Sequence, residues 1–324
     1  MNTTLLKSIA LASVAVAMAG PAAAQQYPAK PIRMIIGFPP GGGTDIIGRI
    51  VGMRLSQTLG QQILPDNRGG ASGQIAAELT AKAPPDGYTV MMAHITAMSI
   101  LPSLYPKLPY DPVRDFAPVT LVATSPNVVI VHPSLPVRSI KELIALAKAR
   151  PGQIHYESSG IGTVQHLAGE LFKLQAKVNL LHIPYKGAGP AIIDIVAGHV
   201  QLGFDVVPVV GPQVKAGKLR ALGVTSAKRS ALFPDLPTVT ESGVADFDMS
   251  TWWGLVAPAA MNKGNIARLH SETVKVLRQK DITGRIAEQG AEVVGNTPAE
   301  FASFIGAERV KYARIVKDAN IKIE

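Results

Sequence analysis

Short, continuously apolar runs alternate with helix-periodic segments along almost the whole chain, and this alternation limits the fold more than any other feature. Residues 32–38 read Ile-Arg-Met-Ile-Ile-Gly-Phe, and further strand candidates lie at 88–92, 128–131, 180–184, 200–204 and 219–224. Between them, segments such as 44–59 place apolar side chains at Ile46, Ile47, Ile50, Val51 and Leu55, one face of a helix. Runs apolar on both sides of the pleat belong to strands covered on both faces, the habit of parallel sheets. Strands alternating with helices predict an α/β fold with mainly parallel sheets flanked by helices.

Two helix starts are written out in full. Ser139-Ile140-Lys141-Glu142 is a capping box, and so is Thr297-Pro298-Ala299-Glu300, with proline at the first helical position. The 324 residues, 47% of them hydrophobic and 17% charged, suffice for about two domains and exclude global disorder. The 30 glycines and 25 prolines follow no collagen-like period, so they fall to turns and loops. No repeat of 20–50 residues appears. Proline-rich stretches at 102–118 and 233–248 are candidate crossovers, which would leave the middle of the chain as one lobe and the two ends as the other.

The first two dozen residues predict an export signal: Lys7 as the positive start, an apolar run over 9–19, then Ala22-Ala23-Ala24 with cutting before Gln25. Such a run falls short of the ~20 residues that span a bilayer. The chain has no cysteine, which removes disulfides, thiolate nucleophiles, Cys-held metals and a lipoprotein anchor together. A soluble exported protein, periplasmic and monomeric, is the expectation. The formal charge of +9 suits an anionic partner, but the cations are scattered and aromatics are only 5%, so a stacking platform for nucleic acid is disfavoured.

Four glycine-rich loops run straight into helical segments: Phe38-Pro39-Pro40-Gly41-Gly42-Gly43-Thr44-Asp45, Asn67-Arg68-Gly69-Gly70-Ala71-Ser72-Gly73, Ser158-Ser159-Gly160-Ile161-Gly162-Thr163, and Tyr185-Lys186-Gly187-Ala188-Gly189-Pro190. The first N–H groups of a helix lack internal partners, and the macrodipole places about half a positive charge beside them. Glycine lets an oxyanion approach closely, so such a loop holds a carboxylate or phosphate without a charged side chain. One such loop has an ordinary steric explanation; four suggest an anion held across a cleft.

Other chemistries lack their residues. Gly160-Ile161-Gly162 is followed by Gln165 where a dinucleotide fingerprint needs glycine, and residues 211–218 miss both the spacing and the Ser/Thr of a P-loop. No G-x-S-x-G elbow and no paired-histidine metal motif occur, so no cofactor or metal is expected. Ser159 with His166 as nucleophile and base is the remaining enzymatic alternative. Asp45 reads as a cap or a ligand contact, Lys186 as a solvated or an anion-directed lysine, and Asp205 as a hinge anchor or a reader of a ligand's hydroxyl or amine. Trp252-Trp253 reads as packing.

These residues together resemble the extracytoplasmic solute receptors of tripartite tricarboxylate transporters, the Bug proteins. The resemblance runs through Tyr27-Pro28-Ala29-Lys30-Pro31, the 38–45 loop, Pro85-Asp86-Gly87-Tyr88, Leu108-Pro109-Tyr110-Asp111-Pro112, Ser158-Ser159-Gly160, His166-Leu167-Ala168-Gly169-Glu170, Pro184-Tyr185-Lys186-Gly187 and Leu236-Pro237-Thr238-Val239. It implies a two-lobed periplasmic binding protein of the type II-like Venus-flytrap kind. Lobe 1 would be 25–126 plus 250–324 and lobe 2 would be 127–249, after removal of 1–24. It further implies a non-catalytic receptor delivering a di- or tricarboxylate, acidic amino acid or aromatic acid to membrane permease subunits. By position, Phe38, Gly41, Gly42, Gly43, Thr44, Asp45, Ser72, Gly73 and Thr96 would bind from lobe 1. Ser158, Ser159, Gly160, Thr163, His166, Tyr185, Lys186 and Asp205 would bind from lobe 2. The 94–102 stretch departs from the family pattern, with Leu101 where asparagine is expected, and predicts a more apolar or aromatic carboxylate.

Overall fold

A computed structural model describes residues 27–231 and 233–321; the expected export signal lies outside them. The described chain forms strands β1 (Ile32–Ile36), β2 (Ile63–Asn67), β3 (Thr89–His94), β4 (Phe116–Val131), β5 (His155–Ser158), β6 (Leu181–Pro184), β7 (Leu202–Val206), β8 (Arg220–Val224), β9 (Ser250–Pro258) and β10 (Glu292–Val293). Helices α1 (Gly43–Leu59), α2 (Gln74–Ala81), α3 (Leu101–Leu104), α4 (Ile140–Ala149), α5 (Val164–Ala176), α6 (Ala188–Val196), α7 (Val207–Lys215), α8 (Lys263–Leu277), α9 (Lys280–Glu288) and α10 (Pro298–Asp318) connect and cover them.

The strands run in the order β2-β1-β3-β9-β4-β7-β5-β6, with β8 and β10 also pairing with β4. β1 is parallel to β2 and β3, and β5 is parallel to β6 and β7, as the apolar runs predict. Around β4 and β9 the pairing is antiparallel, so the sheet is mixed. The reason is topological: these two strands carry the chain between two half-sheets rather than winding within one.

β4 belongs to both halves. Its register with β9 runs from Phe116↔Pro258 to Pro126↔Ser250, whereas Asn127 to Val131 pair with β7 on one side, and Val128 to Val131 with β8 on the other. A polar knot marks the change. The Thr251 hydroxyl donates to Asn127 Oδ1 at 2.8 Å, Asn127 Nδ2 donates to the Phe204 carbonyl at 3.0 Å, and Thr225 Oγ1 receives the Asn127 N–H at 3.0 Å. The second crossover, from β8 to β9, starts and ends at the same knot, since the Met249 N–H donates to the Thr225 carbonyl at 2.8 Å.

Burial follows the pleat. Ile32, Met34 and Ile36 enter one core with α1, while Ile35 faces the other core. The adjacent tryptophans of β9 separate in the same way. Trp252 meets Phe301 of α10 edge-on at 5.6 Å, while Trp253 on the opposite face donates its indole N–H to Thr44 Oγ1 at 3.1 Å. Thr297 with Glu300 completes the predicted reciprocal box, whereas at Ser139 only half of it forms: Ser139 Oγ accepts the Glu142 N–H, but the Glu142 carboxylate accepts from the Arg138 N–H instead.

Candidate functional site

The Gly-rich loops after β1, β2, β5 and β6 converge where the two half-sheets face each other. They enclose an outer chamber of about 670 Å³, within the usual range for a small-molecule pocket. At its inner end the chamber narrows to a pocket with about 20 Å³ open to the centre of a water molecule, room for one or two waters. Phe38, Pro39 and Ser159 line both spaces and join them.

The 38–45 loop supplies the inner pocket with main chain. Gly42 caps α1 without a side-chain acceptor, so the N–H groups of Gly43, Thr44 and Asp45 have no partner within the helix. Gly42, Gly43 and Thr44 line the pocket. Glycine is required at 43 by proximity: a Cβ there would stand 2.9 Å from Trp253 Cζ2 and 3.1 Å from Val206 Cγ2. Asp45 shapes the loop rather than lining the cavity. Its carboxylate accepts from the Gly41 N–H at 3.0 Å, Arg49 Nε at 2.8 Å and Asn67 Nδ2 at 2.9 Å. Gly41 is likewise exposed outside the pocket, held by that same bond.

The second loop is strained. Ala71 and Ser72 hold φ of 45° and 55° between Gly70 and Gly73, themselves at 130° and 92°. Left-handed backbone costs a non-glycine residue roughly 1–2 kcal/mol, and such strain gathers at binding sites. Here it places the Ser72 hydroxyl to donate to the Ile161 carbonyl at 2.6 Å, a direct bond across the cleft. Ser72 and Gly73 line the outer chamber, as do Gly160, Tyr185 and Lys186. The start of α6 lies opposite α1: Gly187 is its uncapped N-cap, and a Cβ on it would fall 2.9 Å from the Pro39 ring.

The third loop differs from the expectation of an open helix end. Thr163 caps α5 through the His166 N–H and also donates to the Gly160 carbonyl at 2.7 Å. His166 Nδ1 accepts the Gly162 N–H at 3.2 Å, and its ring stacks on His182 at 4.2 Å. Ser158 turns inward, bonded to His182 Nε2 at 2.7 Å. Ser158, Thr163 and His166 therefore build the loop without lining the cavity. Burial lowers the His166 pKa to about 4 and that of His182 to about 3, so the stack is neutral near pH 7. The Ser159–His166 pairing of an enzyme does not form, because Ser159 Oγ accepts from Gln165 Nε2 at 3.1 Å and the histidine nitrogen is taken by Gly162.

Three pocket residues escaped the sequence reading. His94 is buried at the end of β3, its pKa lowered by desolvation to about 3. Its Nδ1 accepts the Thr96 N–H at 3.3 Å, which assigns the ring proton to Nε2 and makes Thr96 a positioning residue outside the lining. Trp253 closes the floor. Gln165, on the first turn of α5, donates through Nε2 to Ser159 Oγ and to Asp205 Oδ1 at 3.0 Å. A glutamine three residues past a Gly-Ile-Gly turn carries no local signal; only the β7 register brings Asp205 to it. Asp205 lines the pocket, with Oδ1 also receiving the Val206 N–H at 2.7 Å. Leu101 does not line the cavity either, since its side chain packs across the cleft toward Gly162.

The family model described as the tripartite tricarboxylate transporter family receptor, TctC, matches residues 47–321. Protein BugT of Bordetella pertussis is 37% identical over the whole of both chains. A Rhodopseudomonas palustris protein solved with adipate, Rpa4515, is 35% identical with a TM-score of 0.89, covering 91% of this chain and 99% of its own. MatC of Rhodopseudomonas palustris, solved with bound malate, is 29% identical with a TM-score of 0.85, over 90% of this chain and 100% of its own.

Proposed function

This chain belongs to the tripartite tricarboxylate transporter receptor family, and from that premise we propose that it binds a small carboxylate between two closing lobes and presents it to membrane permease subunits. The family consists of solute receptors, not enzymes. The observation that carries the reading is the meeting of two uncapped helix starts, α1 and α6, at one pocket floored by Trp253 and closed by Ser159 and Asp205. Main-chain N–H groups there hold an anionic group without a lysine or arginine in the inner lining. The adipate and malate held by its structural relatives are carboxylates of fitting size.

In this proposal the lobes are 25–126 with 250–324, and 127–249, turning about the Asn127–Thr225–Thr251 knot. Phe38, Gly42, Gly43, Thr44 and Ser159 grip the ligand's inner end, and Ser72, Gly73, Gly160, Tyr185 and Lys186 face its outer end. Closure is favoured by ligand because only the closed form lets both lobes touch it. Export after cleavage before Gln25, and action as a monomer, complete the proposal. Among the described residues no helix is long and apolar enough to cross a membrane.

Thermal melting against a panel of di- and tricarboxylates, acidic amino acids and aromatic acids tests it. A ligand at 100 times its Kd adds about 2.7 kcal/mol, a rise of roughly 5–10 °C for a chain of this length. Such a shift from one acid class supports the proposal; a flat response to every carboxylate overturns it.

A further inference from the structure

Two buried oxygen atoms in the inner pocket have no protein partner: Asp205 Oδ2 and Gln165 Oε1. Asp205 is 1% and Gln165 5% exposed, so neither atom is answered by bulk water. A buried acceptor left bare costs free energy, more so when it is charged. Ser159 and Val206 satisfy the rest of this network, so the two orphans mark the place where something else donates.

Resting on the carboxylate reading above, we infer that Asp205 and Gln165 select acids bearing a protonated amino group beside the carboxylate held at α1. An ammonium carries three N–H donors and a positive charge; a hydroxyl carries one donor and none. The inner lining contains no lysine or arginine to offset Asp205, and His94 is neutral. Asp205 and Glu157 are a buried acidic pair: burial pushes both upward, while hydrogen bonds from Gln165 and Val206 favour the charged form of Asp205, and both Glu157 oxygens lack any. A carboxylate at the α1 end and an ammonium at the Asp205 end match the polarity of the pocket.

Calorimetry with matched acids differing in one substituent decides this: succinate, malate and aspartate; adipate, 2-hydroxyadipate and 2-aminoadipate; 3-phenylpropionate, phenyllactate and phenylalanine. In whichever frame binds, the amino member should bind at least about tenfold more tightly than the unsubstituted acid, the scale of one charge-assisted hydrogen bond. Asp205→Asn should weaken the amino member about tenfold or more relative to the unsubstituted acid. Gln165→Met should shift the ranking in the same direction by less, and it decides the matter should the Asn variant fail to melt cooperatively. Equal or tighter binding of the unsubstituted acid, or a ranking unmoved by both substitutions, overturns the inference while leaving the carboxylate reading in place. Absence of binding by every acid in all three frames removes both.

Discussion

The two walls of the cleft offer different hydrogen-bonding groups. The wall from β1 and α1 offers main-chain N–H groups, and its one buried carboxylate, Asp45, is spent on Gly41, Arg49 and Asn67. The wall from β5, α5, β7 and α6 adds to one such uncapped helix start a side-chain network, part of whose capacity is bare at Asp205 and Gln165. A main-chain cradle accepts any oxyanion that reaches it, whereas a side-chain network tests what is attached to that oxyanion. In the proposed reading, the α1 wall serves affinity and the wall that carries Asp205 adds selectivity.

Gly43→Val should break the first wall with the largest effect. The added carbons collide with Trp253 and Val206, so overpacking costs about 1–3 kcal/mol of stability. Binding of every carboxylate should fall about 100-fold or more together, read by calorimetry at unchanged ranking. A change confined to one acid class would mean that this wall also selects.

Acid should sharpen the comparison next. His94, His166 and His182 have folded pKa values of about 3, 4 and 3, below the ordinary 6.5. Between those limits the unfolded chain binds more protons, so stability rises with pH across that window and is lost on acidification. Melting temperatures taken from pH 7 down to 4 should fall steadily below about 6.5. Glu157, raised by burial, has the opposite sign, so Glu157→Gln should leave the acid slope in place. Protonated His166 no longer accepts the Gly162 N–H, so the 158–163 loop should lose its shape, and with it ligand, sooner than the α1 loop does.

The smallest effect belongs to the bond between the walls. Ser72→Ala removes one donor to the Ile161 carbonyl and keeps the main-chain geometry. About 1 kcal/mol is at stake, or roughly fivefold in Kd, expected mainly in the rate of ligand release.

Much of this was legible in the residues. The β1–α1 unit was readable because strand, glycine turn and helix adjoin in sequence, and the caps at Ser139 and Thr297 are local chemistry. β4 was readable only over its last residues: Pro118, Thr120, Thr124 and Pro126 obscure the alternation, and its register shifts against β9 show why. At the site, Gly43, Thr44, Ser159 and Asp205 were found by local pattern and resemblance. Asp45, Thr163 and His166 stand in the same motifs, yet they shape loops, a distinction set by hydrogen bonds that sequence does not display. Gln165, His94 and Trp253 were missed because each reaches the pocket through strand register or helix phase.

The sharing of β4 has a consequence for how the molecule is assembled. Every strand of the half-sheet around β7 lies between residues 127 and 224 and is complete once β8 exists. The half-sheet begun by β1 cannot be finished then, because β3 and β4 both await β9, made more than a hundred residues after either. Until β9 arrives, β3 presents an open edge, a template for unwanted pairing. In a chain built from its N-terminus, where contiguous units fold first, the portion that emerges earliest is the last to close.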